Sequence, residues 1–184
     1  MMALRTAAVM AAGMVATAAM AAAPKKCPPV SVRAVREWKP CSRWERESIA
    51  QMELNSKDVR RSRWNESRFS QASINQGNWS GANFNSSRWT NTQIRNATML
   101  GTDWTGAQIF RSELNQVVLR GANLRAAKFE DVDFVDVDFT GADLSDAIFI
   151  RGSCTNCTFD RSQQSGTVWL GTRGMPPRKE QRRE

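Results

Sequence analysis

Histidine and tyrosine are both absent from the 184 residues. The first absence removes the commonest general base, and the second removes a further proton donor, so acid–base chemistry would rest on carboxylates alone. No serine or cysteine stands beside a positioned base, and no glycine-rich loop could cradle a phosphate. Cysteine is scarce: Cys27, Cys41, Cys154 and Cys157. Cys154 and Cys157 lie close together, but with the other two cysteines distant and no histidine they do not make a zinc site. The chain therefore reads as no enzyme, with no cofactor, no metal and no small-molecule substrate. Apolar runs long enough to span a membrane are also missing outside the extreme N-terminus.

That N-terminus has the layout of an export signal. Arg5 supplies the positive start, and residues 6–18 are rich in Ala, Met and Val. Ala19-Met20-Ala21 is a small-residue cleavage site. Cutting after Ala21 leaves a periplasmic or secreted protein with no transmembrane span. In an oxidising compartment Cys27 and Cys41 are a natural pair, closing a loop in a proline-containing segment. Cys154 and Cys157 fit either a second disulfide or two small buried thiols.

The body of the chain is organised in fives. From Trp64 to Phe159 every fifth residue is an apolar centre, apart from Cys154, and the residue two places earlier is small. The centres begin Trp64, Phe69, Ile74, Trp79, and their partners begin Ser62, Ser67, Ala72, Gly77. A helix repeats every 3.6 residues and a strand every two, so neither makes this pattern. A short unit that points one apolar side chain inward per side of a coil does. Gly81, Gly101, Gly121 and Gly141 add a second period of twenty, each opening a phrase such as Gly121-Ala122-Asn123-Leu124 or Gly141-Ala142-Asp143-Leu144. Four pentads thus return the chain to one corner, where glycine accepts the turn geometry. The inward hydroxyls of Ser62, Ser67, Ser87, Thr92, Thr102 and Ser112 need partners, expected among turn carbonyls and amides.

These tandem Gly-Ala-Asn-Leu and Gly-Ala-Asp-Leu phrases resemble the pentapeptide repeat proteins over residues 60–160. The resemblance implies an all-β fold, a right-handed quadrilateral parallel β-helix of about five coils, and a binding or scaffolding role. Four early centres, Trp64, Trp79, Trp89 and Trp104, depart from the Leu or Phe usual in that family. Its quinolone-resistance members are acidic rods that resemble DNA and bind type II topoisomerases. That second reading sits poorly with an export signal and a net charge of +8. Direct binding of nucleic acid by the basic ends is likewise disfavoured.

A solenoid has two raw ends. Ser42-Arg43-Trp44-Glu45 matches a capping box, which predicts a helix over 43–53 as the N-terminal cap. The competing register continues the coil through Ile49 and Leu54, with Glu47 turned inward. Val168-Trp169-Leu170 is the candidate C-terminal cover. The expected division is signal 1–21, N-terminal segment and cap 22–58, repeats 59–160, C-terminal cap 161–174 and a disordered charged tail 175–184. An uncovered C-terminal coil would favour homodimers, as in some members of that family.

Charge is uneven: +4 over residues 1–58, +1 over 59–159 and +3 over 160–184. Glu130, Asp131, Asp133, Asp136, Asp138, Asp143 and Asp146 form an acidic run with no base from 130 to 150. It is a candidate patch for a macromolecular partner, a protein or an envelope polymer. The basic ends suit anionic lipid head groups or acidic polymers. Protein recovered from the periplasmic fraction is expected to have an intact mass that begins at Ala22; a full-length cytosolic chain with four free thiols would overturn export.

Overall fold

The structure is a computed structural model and describes residues 38–176. The expected signal sequence, Cys27 and residues 177–184 lie outside the described residues. Eleven strands, all paired in parallel, stack as the coils of a four-sided solenoid. On the second side run β1 (Ser48–Ala50), β3 (Arg68–Ser70), β5 (Arg88–Thr90), the first half of β7 (Gln108–Asn115), the first half of β8 (Lys128–Val135), β9 (Ile148–Ile150) and β11 (Val168–Leu170). On the third side run β2 (Glu53–Asn55), β4 (Ser73–Asn75), β6 (Gln93–Arg95), the second halves of β7 and β8, and β10 (Ser153–Thr155). The first and fourth sides are single-residue bridges, such as Arg43↔Arg63↔Asn83↔Asp103↔Asn123↔Asp143↔Gln163. Every pairing joins residues twenty apart.

That bridge column takes six steps from Arg43 to Gln163, so the rod has about six coils rather than five and is roughly 29 Å long. The ladder begins before residue 59 and continues past 160, through β11 and the Ser153↔Arg173 bridge. Among the described residues there is no helix. The expected helix over 43–53 is instead the first coil, with Ile49 and Leu54 buried on the five-residue grid. A helix would have satisfied its own amides and left the next coil's edge open. In the ladder the Cys41, Trp44 and Arg46 amides donate to the Arg60, Arg63 and Asn65 carbonyls. Ser42 does not cap a helix; its hydroxyl donates to the Lys39 carbonyl. Glu47 takes the small-residue position but sits at the open end, half-buried, so no carboxylate enters the core.

The corners obey one backbone rule. Every fifth residue from Cys41 to Gly171 has φ between 46° and 70°. Glycine fills this left-handed position at Gly81, Gly101, Gly121 and Gly141, but residues such as Arg46, Gln51, Gln116 and Asp136 adopt it as well. A non-glycine residue there costs about 1–2 kcal/mol. The conformation holds because the corner amide donates to the carbonyl nineteen residues on, as Gln51 does to Ser70 and Gln116 to Val135. Proline, which has no N–H, occurs at 24, 28, 29, 40, 176 and 177, outside this ladder.

The core is four columns of inward centres. The second-side column reads Ile49, Phe69, Trp89, Ile109, Phe129, Phe149, Trp169, with Phe69 stacked on Trp89 at 3.8 Å and Phe149 on Trp169 at 4.2 Å. Trp38 lies over the first coil, 4.8 Å from Trp44 and 5.2 Å from Trp64, and is the N-terminal cover. The tryptophans of the early coils are accommodated by chemistry as well as volume. The indoles of Trp64, Trp89 and Trp104 donate to Ser62, Ser87 and Thr102, two residues back. Those hydroxyls donate in turn to the Val59, Phe84 and Met99 carbonyls. Trp79 is the exception. Its partner position is Gly77, whose missing Cβ would lie 2.3 Å from the indole nitrogen, and that nitrogen has no partner. Ser87→Ala is expected to lower stability by about 1–3 kcal/mol by orphaning the Trp89 indole, whereas Ser73→Ala on an outward position stays within about 0.5 kcal/mol; urea unfolding of both variants checks this.

Candidate interaction surface

In each pentad the residues on either side of the centre, and the corner residue, point outward. Because register advances by twenty, the outer surface is a set of columns, and a run in sequence becomes a ring around the rod. This disperses the acidic run. Glu130 and Asp131 lie on the second side and its corner, Asp133 and Asp136 on the third, Asp138 on the fourth, and Asp143 and Asp146 on the first. They do not form one patch.

Most of these carboxylates are also answered by cations of neighbouring coils. Arg151 pairs with Glu130 and with Asp131 (2.9 Å), and Lys128 pairs with Glu130 at 2.8 Å. Arg120 reaches Asp138 at 3.5 Å, and Arg125 reaches Asp143 and Asp146, both at 3.6 Å. Asp133 accepts from the Ser153 hydroxyl and Asp136 from the Asn156 amide. Hydrogen bonds from Lys128 and Arg151 hold the Glu130 carboxyl below its usual range, and Arg151 does the same for Asp131. At Asp143 partial burial pushes the pKa upward but is outweighed by the Ser145 hydroxyl and amide and by Arg125, so it too lies below the usual range.

The cysteines resolve as well. Cys154 is a buried inward centre, and it forms a disulfide across one corner with half-buried Cys157, Cα to Cα 5.8 Å. Cys41 is also disulfide-bonded. Sequence reasoning left the Cys154–Cys157 pair open, because inward placement alone does not fix the distance. The glycines at 81, 101, 121 and 141 form one corner column with φ of 67°, 57°, 63° and 67°.

The second side differs from the other three. Its outward columns read Ser48, Arg68, Arg88, Gln108, Lys128, Ile148, Val168 and Ala50, Ser70, Thr90, Phe110, Glu130, Ile150, Leu170. Arg68 and Arg88 are exposed and directly opposed on adjacent strands. Like charges in that relation repel. Neither makes an ion pair among the described residues, whereas Arg60, Arg63 and Arg95 pair with Asp58, Glu45 and Glu113. Arg88 instead lies 4.8 Å over the ring of half-buried Phe110, and the Lys128 ammonium approaches that ring to 5.5 Å from the next coil. Arg68 and Arg88 of the early coils thus form a cationic pair beside Phe110 in the middle of this side.

At the far end of the same side, Val168 pairs with Ile148 and Leu170 with Ile150. These four side chains make an aliphatic square on the outer surface, with Leu170 61% exposed, Val168 40% and Ile148 37%. The expected C-terminal cover is therefore only partly met. Val168-Trp169-Leu170 is a strand, and of the three only Trp169 turns inward. Sequence reasoning missed Phe110 and the square. The available signal was apolar residues directly beside the centres Ile109, Phe149 and Trp169, positions that are polar in most other coils.

Asp58 carries a pH prediction. Its hydrogen bond to Arg60, 2.6 Å in the ion pair, outweighs the upward push of partial burial and holds it below the usual carboxylate range. A depressed folded-state pKa contributes stability that is complete above the unfolded value, near 4, and is lost as pH falls through the folded value. Asp58→Asn is expected to flatten the fall in stability below about pH 4, measured by thermal unfolding across pH.

Residues 90–163 match the sequence model of the family described as pentapeptide repeats, in 8 copies. No curated protein matches the chain in sequence. Among solved structures, HetL, a pentapeptide repeat protein involved in heterocyst differentiation regulation from the cyanobacterium Nostoc, is similar at 13% identity, covering 74% of this chain and 92% of that protein, with a TM-score of 0.32. QnrB1, a plasmid-mediated fluoroquinolone resistance protein, is similar at 12% identity over 71% of this chain and 73% of that one, with a TM-score of 0.33. A pentapeptide repeat protein of the Arabidopsis thaliana thylakoid lumen is similar at 18% identity over 79% and 73%, with a TM-score of 0.26.

Proposed function

We infer, from a chain that belongs to the pentapeptide repeat family, a non-catalytic binding scaffold that acts in the cell envelope after export. The observation that carries this reading is the second side of the rod. Two like-charged residues paired in register, Arg68 and Arg88, make no ion pair among the described residues, while the other cations of the central coils are mostly matched. A local conflict of this kind in an otherwise consistent fold marks a place where an external group completes the electrostatics. The partner that fits is an acidic segment of another macromolecule laid along Arg68 and Arg88, with Arg88 held over Phe110. The Cys154–Cys157 disulfide accords with an oxidising compartment.

The alternative, a DNA-mimicking topoisomerase binder, needs a continuous acidic surface. Here the carboxylates ring the rod and are neutralised by arginines, and the Arg68–Arg88 pair on the second side is cationic. Nothing in the charge distribution resembles a phosphate backbone.

Arg68→Glu/Arg88→Glu is expected to abolish capture of acidic envelope partners by the immobilised chain while leaving its melting temperature within a few degrees of wild type. Capture unchanged by the charge reversal would remove the second side from the binding reading. Protection of supercoiling activity by the wild-type chain would restore the topoisomerase alternative.

A further inference from the structure

Arg68 and Arg88 stand in register on β3 and β5, so their Cα atoms are separated by the strand spacing of about 4.8 Å. Both side chains are exposed, and neither makes an ion pair or a side-chain hydrogen bond among the described residues. Each guanidinium carries five N–H donors in a planar fork. Phe110 holds Arg88 through its ring, at 4.8 Å, and so occupies no donor of the fork. The carboxylates that face the pair are engaged or displaced. Glu66, at the corner before Arg68, is held by Arg46 at 2.9 Å, and Glu130, two coils beyond Arg88, is held by Lys128 and Arg151. Glu47 lies half-buried at the open end, below Ser48. Arg111, at the corner after Phe110, adds a further exposed cation. The outward neighbours of the pair are polar and uncharged. Ser48 and Gln108 continue its column in either direction, and Ser70 and Thr90 lie two residues on, on the same face.

Resting on the second side as the binding face, we propose that Arg68 and Arg88 together hold one phosphate monoester, carried by a sugar of an envelope glycan. Charge selects the group. A monoester of about −1.5 to −2 at pH 7 balances both guanidiniums, whereas a single carboxylate leaves one of the two like charges unanswered. Shape agrees with charge. The terminal oxygens of a tetrahedral phosphate accept from two forks at once, while a planar carboxylate is matched by one. The surroundings select the carrier. The backbone of this side is engaged in the ladder, with the Arg68 amide donating to the Glu47 carbonyl and the Arg88 amide to that of Ser67, so a peptide has no strand edge here to extend. Beside the pair stand Ser48, Ser70, Thr90 and Gln108 rather than the apolar pocket that a peptide anchor fills. Their hydroxyls and amide suit a ring that is itself covered in hydroxyls.

The test is calorimetric titration of the full chain with mannose phosphate, glucuronate, inorganic phosphate and a phosphoserine peptide. Mannose phosphate is expected to bind at about pH 7.5 and to bind about fivefold more weakly at about pH 5, where most monoesters have taken up the second proton. The chain has no histidine, the one side chain whose ordinary pKa falls in that window, so the change follows the ligand. Arg68→Lys/Arg88→Lys keeps the charge and removes the forks. It is expected to lower the affinity about tenfold with an unchanged melting temperature. Arg120→Lys/Arg125→Lys, on the fourth and first sides, is expected to leave the affinity as it is. Glucuronate binding as tight as that of mannose phosphate, or full affinity in Arg68→Lys/Arg88→Lys, would overturn the phosphate site. Partner capture still lost in Arg68→Glu/Arg88→Glu would in that case leave the second side as the binding face, and capture unaffected there would remove both. Inorganic phosphate or the phosphoserine peptide binding as tightly as mannose phosphate would overturn the glycan as carrier.

Discussion

The backbone bond from each corner amide to the carbonyl nineteen residues on is the constraint on which the rest of this molecule depends. It sets the twenty-residue advance between coils, and that advance makes every inward centre stack on its own kind. It also forces the left-handed conformation at each corner, glycine or not. The local strain at Arg46, Gln51 or Asp136 persists because breaking one corner would strand the amides and carbonyls of two coils. Cooperativity along the rod follows from the same bonds, since each coil closes the edge of its neighbour.

Within that frame two chemistries fill the same cross-section. The early coils use tryptophan, at Trp64, Trp89 and Trp104 with a serine or threonine two residues back, so that these rings bring their own hydrogen-bond acceptor while Trp79 over Gly77 does not. The later coils use phenylalanine or leucine with alanine or valine and need none. The two halves meet around Trp89, Trp104, Ile109 and Leu119, where an apolar void of about 10 Å³ remains. That space is at the lower limit for one water and offers it no polar partner, so it stays dry. The mismatch is small because a ring lost from one column is largely compensated by a branched side chain in the next.

Function on such a scaffold is best sought in the columns, which hold outward side chains at a fixed spacing along the rod. The second side concentrates what the other three disperse: opposed arginines, an outward phenylalanine with cations over it, and an aliphatic square. A gradient of residue type along a few outward positions becomes a gradient of surface chemistry along the rod, cationic near one end and apolar at the other.

The centres from Trp64 to Phe159, the corner glycines and the count of four sides were legible in the sequence, since each is a strict period that only a coil produces. The capping-box reading of Ser42 to Glu45 failed because a short polar motif carries no record of the strand edge beside it, and that edge won. The acidic run failed for a related reason. Adjacent residues on a helix or a loop share a neighbourhood, but on a quadrilateral coil they face different directions. The sequence by itself therefore determined the repeat, the inward set and the class of fold, because these rest on periodicity. Only the tertiary structure decided the pairing of Cys154 with Cys157, the acceptors for the indoles, the neutralisation of the carboxylates and the solvent-facing apolar square, because each depends on what lies twenty residues away in the coil above or below, or on which way the side chain turns at its corner.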